Sequence, residues 1–487
     1  MIEEQLKKHN DYSFEMKFSF VARRKQPVSD FAVNIWFFLP NSLDINHNTY
    51  DKKDFYRDLK SNIRLITPVY LLKDITPDNN SPLHSLEKAM HNLASEPTRT
   101  HAAAYEHHIK MFLSIVKSAL RDETQHIVQN IEVDQNHYLL ENLIQNLGVI
   151  TKSYRKLAHI INTPTVTQVM ANYFAFGDEF LSNIIEYNCF RLIRNSETIR
   201  QNPRLRKPLL ALIDSELRYR RSKSWPVPQK NSPDKNRQLV HRLALLKKYA
   251  ENVLFLSAHK KRDGVLKEQF LFSLAAGISM IFATAIAFSF QAKYGNLTMP
   301  FFVALVVSYM LKDRIKDLGR LYFAQKLGRS YFDLKTKISL KNRNIGWSKE
   351  AMDFVEEERT PPEVRKMRQR SPILEADNRN NNEKIILYRK LVRLERESLN
   401  RISEYNLRGI NDIVRFNLFH LTMKMDNPSV PLFIRDEKNY FELVSGEKIY
   451  YLNLIMQLRY ENEIRYKRYR ISMNRKGIRD IESFPES

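Results

Sequence analysis

Between Phe270 and Phe290 lie 21 residues without a charge. At about 1.5 Å per residue, a helix of that length crosses a hydrocarbon core of about 30 Å. A connection, Gln291–Met299, leads to a second apolar run, Leu297–Leu311, of 15 residues. That run is short for a span. It crosses if its helix starts near Tyr294 and Lys312 snorkels at the far end. The two runs predict a transmembrane helical hairpin over residues 269–312, and the rest of the chain is read around it.

Ala275, Ser279, Ala283 and Ala287 recur every four residues along the first run. In lipid, small side chains favour close helix approach, and the second run is the tethered candidate to pack there. Ser273, Ser279, Thr284 and Ser308 can bond back to their own helix carbonyls, and neither run holds a residue charged at neutral pH. The hairpin is therefore expected to act as an anchor. Lys260, Lys261, Arg262 and Lys267 precede it, and Lys312, Arg314, Lys316, Arg320 and Lys326 follow it, against Lys293 alone in the connection. This asymmetry places both long flanks on the cytoplasmic side of an inner membrane. Met1–Asn10 is polar without an apolar core, so no cleavable signal peptide is expected.

One cysteine, Cys189, excludes an internal disulfide, and its apolar helical setting points to an inert buried thiol. Only 11 glycines occur in 487 residues, and there is no GxxxxGK, GxGxxG or GxSxG. Phosphate-cradling loops need glycine, which argues against a P-loop or Rossmann nucleotide enzyme. The formal charge of +23 is uneven: Arg191–Glu268 holds 20 Lys/Arg against 7 Asp/Glu. A basic stretch directly before a membrane segment points to anionic lipid headgroups.

The pattern along the chain predicts an α+β membrane protein with a helical bundle, the two-helix transmembrane hairpin and a mainly antiparallel β C-terminal domain. Residues 1–77 read as a β-containing segment, because Phe14, Met16, Phe18 and Phe20 alternate with polar residues. Phe55–Ile66 reads as a short helix. Residues 78–268 read as a basic helical bundle, with starts at Ser81-Pro82, Thr163-Pro164 and Ser232-Pro233. Residues 313–335 continue the second span as a juxtamembrane helix, and 336–382 read as a linker. Residues 383–487 read as the β-rich C-terminal domain, where Ser445-Gly446-Glu447 suggests a hairpin between Tyr440–Val444 and Lys448–Tyr460. A phase shift in Ile464–Met473 suggests a bulge. The strands of residues 1–77 are too few to stand alone and are expected to complete the C-terminal sheet.

No stretch carries a recognisable catalytic signature or marks a known family. Glu123-Thr124-Gln125-His126 and Asp134-Gln135-Asn136-His137 place Glu123 with His126, and Asp134 with His137, at i and i+3, as di-iron carboxylate proteins place ligands. The second copy has Asp, and the two lie close together in sequence; solvated polar side chains are the plainer reading. Glu356-Glu357-Glu358 reads as a solvated run rather than a tuned pair. No cofactor is expected. The sequence points to a membrane-anchored cytoplasmic interaction or scaffold protein, with an unidentified protein partner and self-association left open. Its expected anionic-surface residues are Arg218, Arg220, Arg221, Lys223, Lys260, Lys261, Arg262, Lys267, Lys312, Arg314 and Lys316. Two readings remain beside it: a metal-dependent, di-iron-like enzyme on the bundle, and a membrane-tethered nucleic-acid-binding protein using the same arginines.

Overall fold

A computed structural model describes residues 1–485 apart from 24–25, 77–80, 131, 296–297, 329–331, 342, 381–382, 403 and 436–439. The chain is a mixed α+β protein with large antiparallel sheets, and it divides into two units. One unit comprises residues 1–63, 256–404 and 408–487; the other comprises 64–255 with 405–407.

Fourteen strands are described: β1 (Ile2–Asn10), β2 (Ser13–Val21), β3 (Val28–Leu39), β4 (Leu59–Leu65), β5 (Ser257–Arg262), β6 (Leu334–Leu340), β7 (Arg343–Val355), β8 (Lys384–Glu395), β9 (Gly409–Asn417), β10 (Ser429–Ile434), β11 (Glu442–Glu447), β12 (Tyr450–Tyr460), β13 (Glu463–Asn474) and β14 (Gly477–Phe484). They form an eight-stranded sheet in the order β14-β13-β12-β3-β8-β7-β6-β5, a four-stranded sheet β1-β2-β9-β4 and a β10-β11 pair. The N-terminal strands are part of these sheets: β2 pairs with β9, and β3 lies between β8 and β12. β3 can be central because its run Phe31–Leu39 is apolar on both faces. Val33, Ile35 and Phe37 are buried, and so are Trp36 and Phe38 on the opposite face.

An aromatic layer joins the two larger sheets. Phe416 of β9 lies 5.6 Å from Phe14 and 5.4 Å from Phe37, and Phe31 stacks on Tyr460 at 4.8 Å. The alternation of Phe14, Met16, Phe18 and Phe20 feeds this layer, and all four are buried. A charged cluster crosses the same layer. Lys390 of β8, fully buried, bridges Glu350 of β7 at 2.8 Å and Asp412 of β9. Ser61 donates to Asp412 at 2.6 Å, and Lys260 of β5 reaches Glu350 at 3.0 Å.

Several sequence expectations are corrected here. Residues 336–382 are not a linker: most of β6, all of β7 and the helices Pro362–Arg368 and Pro372–Asn380 lie within them. The basic bundle does not run to residue 268, because Ser257–Arg262 is a strand of the large sheet. Phe55–Ile66 splits into the helix Lys52–Asp58, closed by an Asp51 capping box, and β4. β12 does not pair across Ser445-Gly446-Glu447. It turns at Glu461, whose φ is 54°, and pairs with β13 from Tyr460↔Glu463 without a shift, while β11 pairs with β10. Glu357 is not simply solvated, since Arg370 takes its carboxylate at 2.7 and 2.9 Å.

The second unit is helical. Its main helices are Pro82–Ser95, Arg99–Gln129, Val133–Lys156, Gln168–Asn195, Pro203–Ser222 and Pro233–Glu251. Ser81 caps the first by accepting from the His84 amide, with Pro82 at the first position. Thr163-Pro164 starts no helix: Thr163 donates back to Ile160 at 3.1 Å, and the next long helix begins at Gln168. Tyr154 stacks between Phe112 and Phe174 at 5.6 and 4.6 Å. Part of the basic charge is paired with largely buried carboxylates. Arg155 takes Asp178 and Glu216, Arg242 forks Glu179 with two 2.6 Å bonds, and Arg220 pairs with Glu186. Cys189 is buried, and burial pushes its thiol up to about 12, consistent with an unreactive side chain.

Candidate functional site

Two long apolar helices rise from the edge of the large sheet. The first, Val265–Tyr294, follows β5 after a Gly264 in the left-handed region; the second, Met299–Gly328, leads back toward β6. Each has 30 residues, which is about 45 Å of helix. Tyr294 closes the first helix instead of opening the second, so the apolar second run begins only at Met299 among the described residues. The second helix runs without a break through residues 313–328, and β6 begins at Leu334.

The helices pack against each other on their small residues. Ala275 and Ser279 of the first are buried, as are Ala304 and Ser308 of the second. A Cβ at Gly319 would lie 3.1 Å from that of Ala275, and Arg320 lies over Phe272. The start of one helix thus neighbours the later part of the other, so they run antiparallel. Their hydroxyls are satisfied internally: Ser279 donates to Ala276 at 2.8 Å and Thr284 to Met280 at 2.6 Å. Away from this seam the apolar side chains are bare. Phe270 and Ile281 are each 70% exposed, and Phe288, Phe302 and Met310 are similarly open. Among the described residues, Glu268–Tyr294 is the helix long and apolar enough to cross a membrane, with a mean hydropathy of 2.1.

At the foot of these helices β5 and β6 are hydrogen-bonded neighbours, in register from Ser257↔Ser339 to Arg262↔Leu334. The same register builds a basic ladder on one sheet face, because residues two apart along a strand share a side. Lys261, Lys335 and Lys349 stand abreast on β5, β6 and β7, and His259, Lys337, Trp347 and Arg393 form the next row. Lys335, Lys349 and Arg393 approach the Trp347 ring at 5.7, 5.6 and 5.3 Å. Asp263 neutralises Lys349 at 2.7 Å, and Asp30 forks Arg393 at 2.6 and 2.7 Å. Lys261, Lys335 and Lys337 have no carboxylate partner among the described residues. A cavity of about 1010 Å³ opens between this ladder and the exposed Val265 and Leu266. One wall therefore suits an anion and the other an apolar chain.

The expected surface residues divide in several ways. Arg218, Arg221 and Lys223 are exposed on the helical unit. Arg220 is not a surface group: it is 1% exposed, held by Glu186 and Asn183. Lys260 turns away from the ladder to Glu350, and Arg262 pairs with Glu268 at 3.0 Å. Lys312 lies over Tyr309 at 3.9 Å, Arg314 is exposed, and Lys316 pairs with Asp313 at 2.9 Å. The side chain of Lys267 lies outside the described residues. Glu123 and His126 sit on the helix Arg99–Gln129 and Asp134 and His137 on Val133–Lys156; His126, Asp134 and His137 are exposed, and His137 faces Glu141 at 4.0 Å. Burial raises the Glu123 carboxyl, opposed by His126. Among the described residues no group of three or more His, Cys, Asp or Glu is placed to hold a metal ion.

Sequence reasoning missed Lys335, Lys337, Trp347 and Lys349. Lys335, Lys337 and Ser339 alternate with Thr336, Ile338 and Leu340, which is a strand signal hidden by reading a linker there. Comparison with known protein-family models, curated proteins and solved structures finds no match.

Proposed function

We propose that the chain is a membrane-anchored scaffold. The two apolar helices cross an inner membrane as a hairpin and hold the mixed α+β parts at its cytoplasmic face. There the Lys261/Lys335/Lys337 ladder meets anionic headgroups, and the soluble surfaces receive a protein partner. The observation that carries this reading is the β5–β6 pairing at the foot of two exposed apolar helices. Strands that pair with each other lie on one side of a bilayer, so a chain that leaves through the first helix must return through the second. Full-length exposure of residues such as Phe270, Ile281 and Met310 to water would be strongly unfavourable, whereas lipid removes that cost.

Magnitudes divide the roles of helices and ladder. Near an anionic leaflet each unpaired Lys contributes about 1 kcal/mol, so three supply about 3 kcal/mol, a factor of about 10² in binding. That is too little to anchor a protein and enough to select anionic lipid and fix orientation. Expressed in a bacterial cell, the full chain should stay in the membrane fraction through an alkaline carbonate wash. Reporters at the two ends should both report the cytosol, and one inserted after Gly295 the opposite side. Release by carbonate, or a cytosolic reporter at Gly295, would refute the hairpin.

A further inference from the structure

A second cavity lies in the same unit, on the outer face of β12 and β13 where the β7–β8 connection folds over them. Trp36, Phe38, Ile385 and Ile455 form an apolar floor that Val364 of the connection covers. Beyond this floor the connection delivers Arg368 and Arg370. Both are already occupied: Glu383 accepts from Arg368 at 3.1 and 2.8 Å and from Arg370 at 3.1 and 2.9 Å, and Glu357 takes the other side of Arg370.

Arg468 of β13 is different. It is 6% exposed and its Phe484 neighbour lies under the guanidinium at 4.4 Å. One Nη donates to the Gln369 amide oxygen at 2.8 Å, and Gln369 itself is held in the left-handed region at φ 43°. Its Nε is buried without a partner, and no carboxylate pairs with it among the described residues. Arg470, two residues on and therefore on the same face, pairs with Glu482 at 3.6 Å and lies over the Tyr451 and Phe484 rings at 5.6 and 5.0 Å. Asn453, opposite Arg470 on β12 and 3% exposed, has a buried Oδ1 without a donor. Arg468, Arg470 and Asn453 line a cavity of about 590 Å³, within the range of small-molecule sites.

A buried guanidinium beside two others and without an ion-paired carboxylate among the described residues is an expensive arrangement. Burial first, then Arg368 and Arg470, push the Arg468 pKa below its ordinary value, and Glu482 offsets this only in part. Buried polar groups left unpaired mark a missing partner. The complementary group is a compact oxyanion with several acceptors, and arginine forks match phosphate in both geometry and charge. Two incompletely compensated arginines suit a dianion, while Asn453 Oδ1 accepts from a hydroxyl or amine on the ligand's body.

We propose that this cavity binds a small soluble phosphate monoester, with the phosphate held by Arg468 and Arg470 and a donor group of the ligand on Asn453. This site is independent of the membrane reading. The test is calorimetric titration of the full chain in mild detergent at constant ionic strength. The probes are inorganic phosphate, glycerol 3-phosphate and adenosine 5′-monophosphate, with chloride as the control and phosphatidic acid vesicles as a separate arm. At least one soluble monoester should bind saturably, and Arg468→Gln should weaken it at least tenfold. Arg470→Gln, at a partly exposed position, should weaken it as well and keeps the test alive if the buried variant fails to fold. Asn453→Leu should weaken the monoester while leaving inorganic phosphate unchanged. Absence of saturable binding, or equal affinity in wild type, Arg468→Gln and Arg470→Gln, would overturn the proposal. So would binding confined to phosphatidic acid vesicles, which would assign the phosphate to a lipid.

Discussion

Lys390→Met removes the cation that Glu350 and Asp412 share between the two sheets. All three side chains are at most 2% exposed, so neither carboxylate can turn to water. Deleting one partner of a buried ion pair costs about 3–5 kcal/mol. An independent route gives a similar size. Burial alone would raise the Glu350 carboxyl, but Lys390 and then Lys260 outweigh it and hold the pKa from 4.5 down to about 2. At about 1.36 kcal/mol per pH unit, that depression is about 3 kcal/mol of stability at neutral pH. Because the folded pKa is depressed, this contribution is complete above the unfolded value near 4.5 and is lost as pH falls through about 2. The Lys390 ammonium is raised, against its burial, by Asp412 and Glu350, so its own contribution disappears only in strong alkali, outside the acid window. The assay is urea unfolding of the detergent-solubilised chain. Trp36 and Trp347 fluorescence reports it in a Trp225→Phe background, since Trp225 belongs to the helical unit. We expect Lys390→Met to lose about 3–5 kcal/mol at pH 7, and about half of that loss or more to vanish by pH 3. A loss under about 1 kcal/mol at pH 7, or one unchanged at pH 3, would refute the electrostatic account.

Arg220→Ala should destabilise the helical unit by about 3–5 kcal/mol, seen by thermal melting, because it strands Glu186; Arg218→Glu and Arg221→Glu, at exposed positions, should melt as wild type. Changing Lys261, Lys335 and Lys337 together to glutamate should leave the chain in the membrane fraction yet abolish the preference of the detergent-solubilised chain for vesicles containing anionic lipid over neutral ones, measured by co-sedimentation across salt. If wild type instead prefers DNA with a steep salt slope, the nucleic-acid reading replaces the lipid one. Gly409→Ala should lower the melting temperature of the β unit sharply, since its Cβ would lie 1.9 Å from the Phe20 carbonyl oxygen across the β2–β9 pair.

What the sequence made legible was local. Alternation in Phe14–Phe20, the uncharged run Phe270–Phe290 and the Ser81-Pro82 cap each depend on neighbours within a few residues, and each appears in the structure as an element of the expected kind. Arg220 was legible too, although it was read as surface. It continues the buried stripe Leu205, Leu209, Ile213 and Glu216 at helical spacing, so its position already pointed inward. The strand partners were not legible. Ser445-Gly446 resembles a local turn, yet β12 takes β13 and β3 as neighbours, and the second of these lies more than 400 residues away in sequence. Nor was the Arg468 cavity. Its parts come from β12, β13 and the β7–β8 connection, and only the ladder register sets Asn453 opposite Arg470.

The pairing of β5 with β6 also joins the two apolar helices to the fold. These strands are separated by the whole of both apolar helices, yet they are adjacent at the sheet edge. β6 must then reach β7 on one side and β5 on the other, which in the proposed membrane setting it can do only from the side where β5 was left. A first helix that crossed without the return of the second would put β6 across the bilayer. β6 would then lose β5 and become an exposed edge, and Lys260 on β5 would be parted from Glu350 on β7. The Lys390 cluster would keep its own two bridges but lose that outer cation. For the hairpin proposed above, completion of the sheet excludes a single crossing independently of flanking charge. Charges placed within the second helix to stop its crossing, as in Val303→Lys with Val307→Lys, should consequently unfold the β5–β6 edge. Limited proteolysis between Lys260 and Lys349 in such a variant is the measurement that decides it: protection equal to wild type would show that the edge forms without the return crossing.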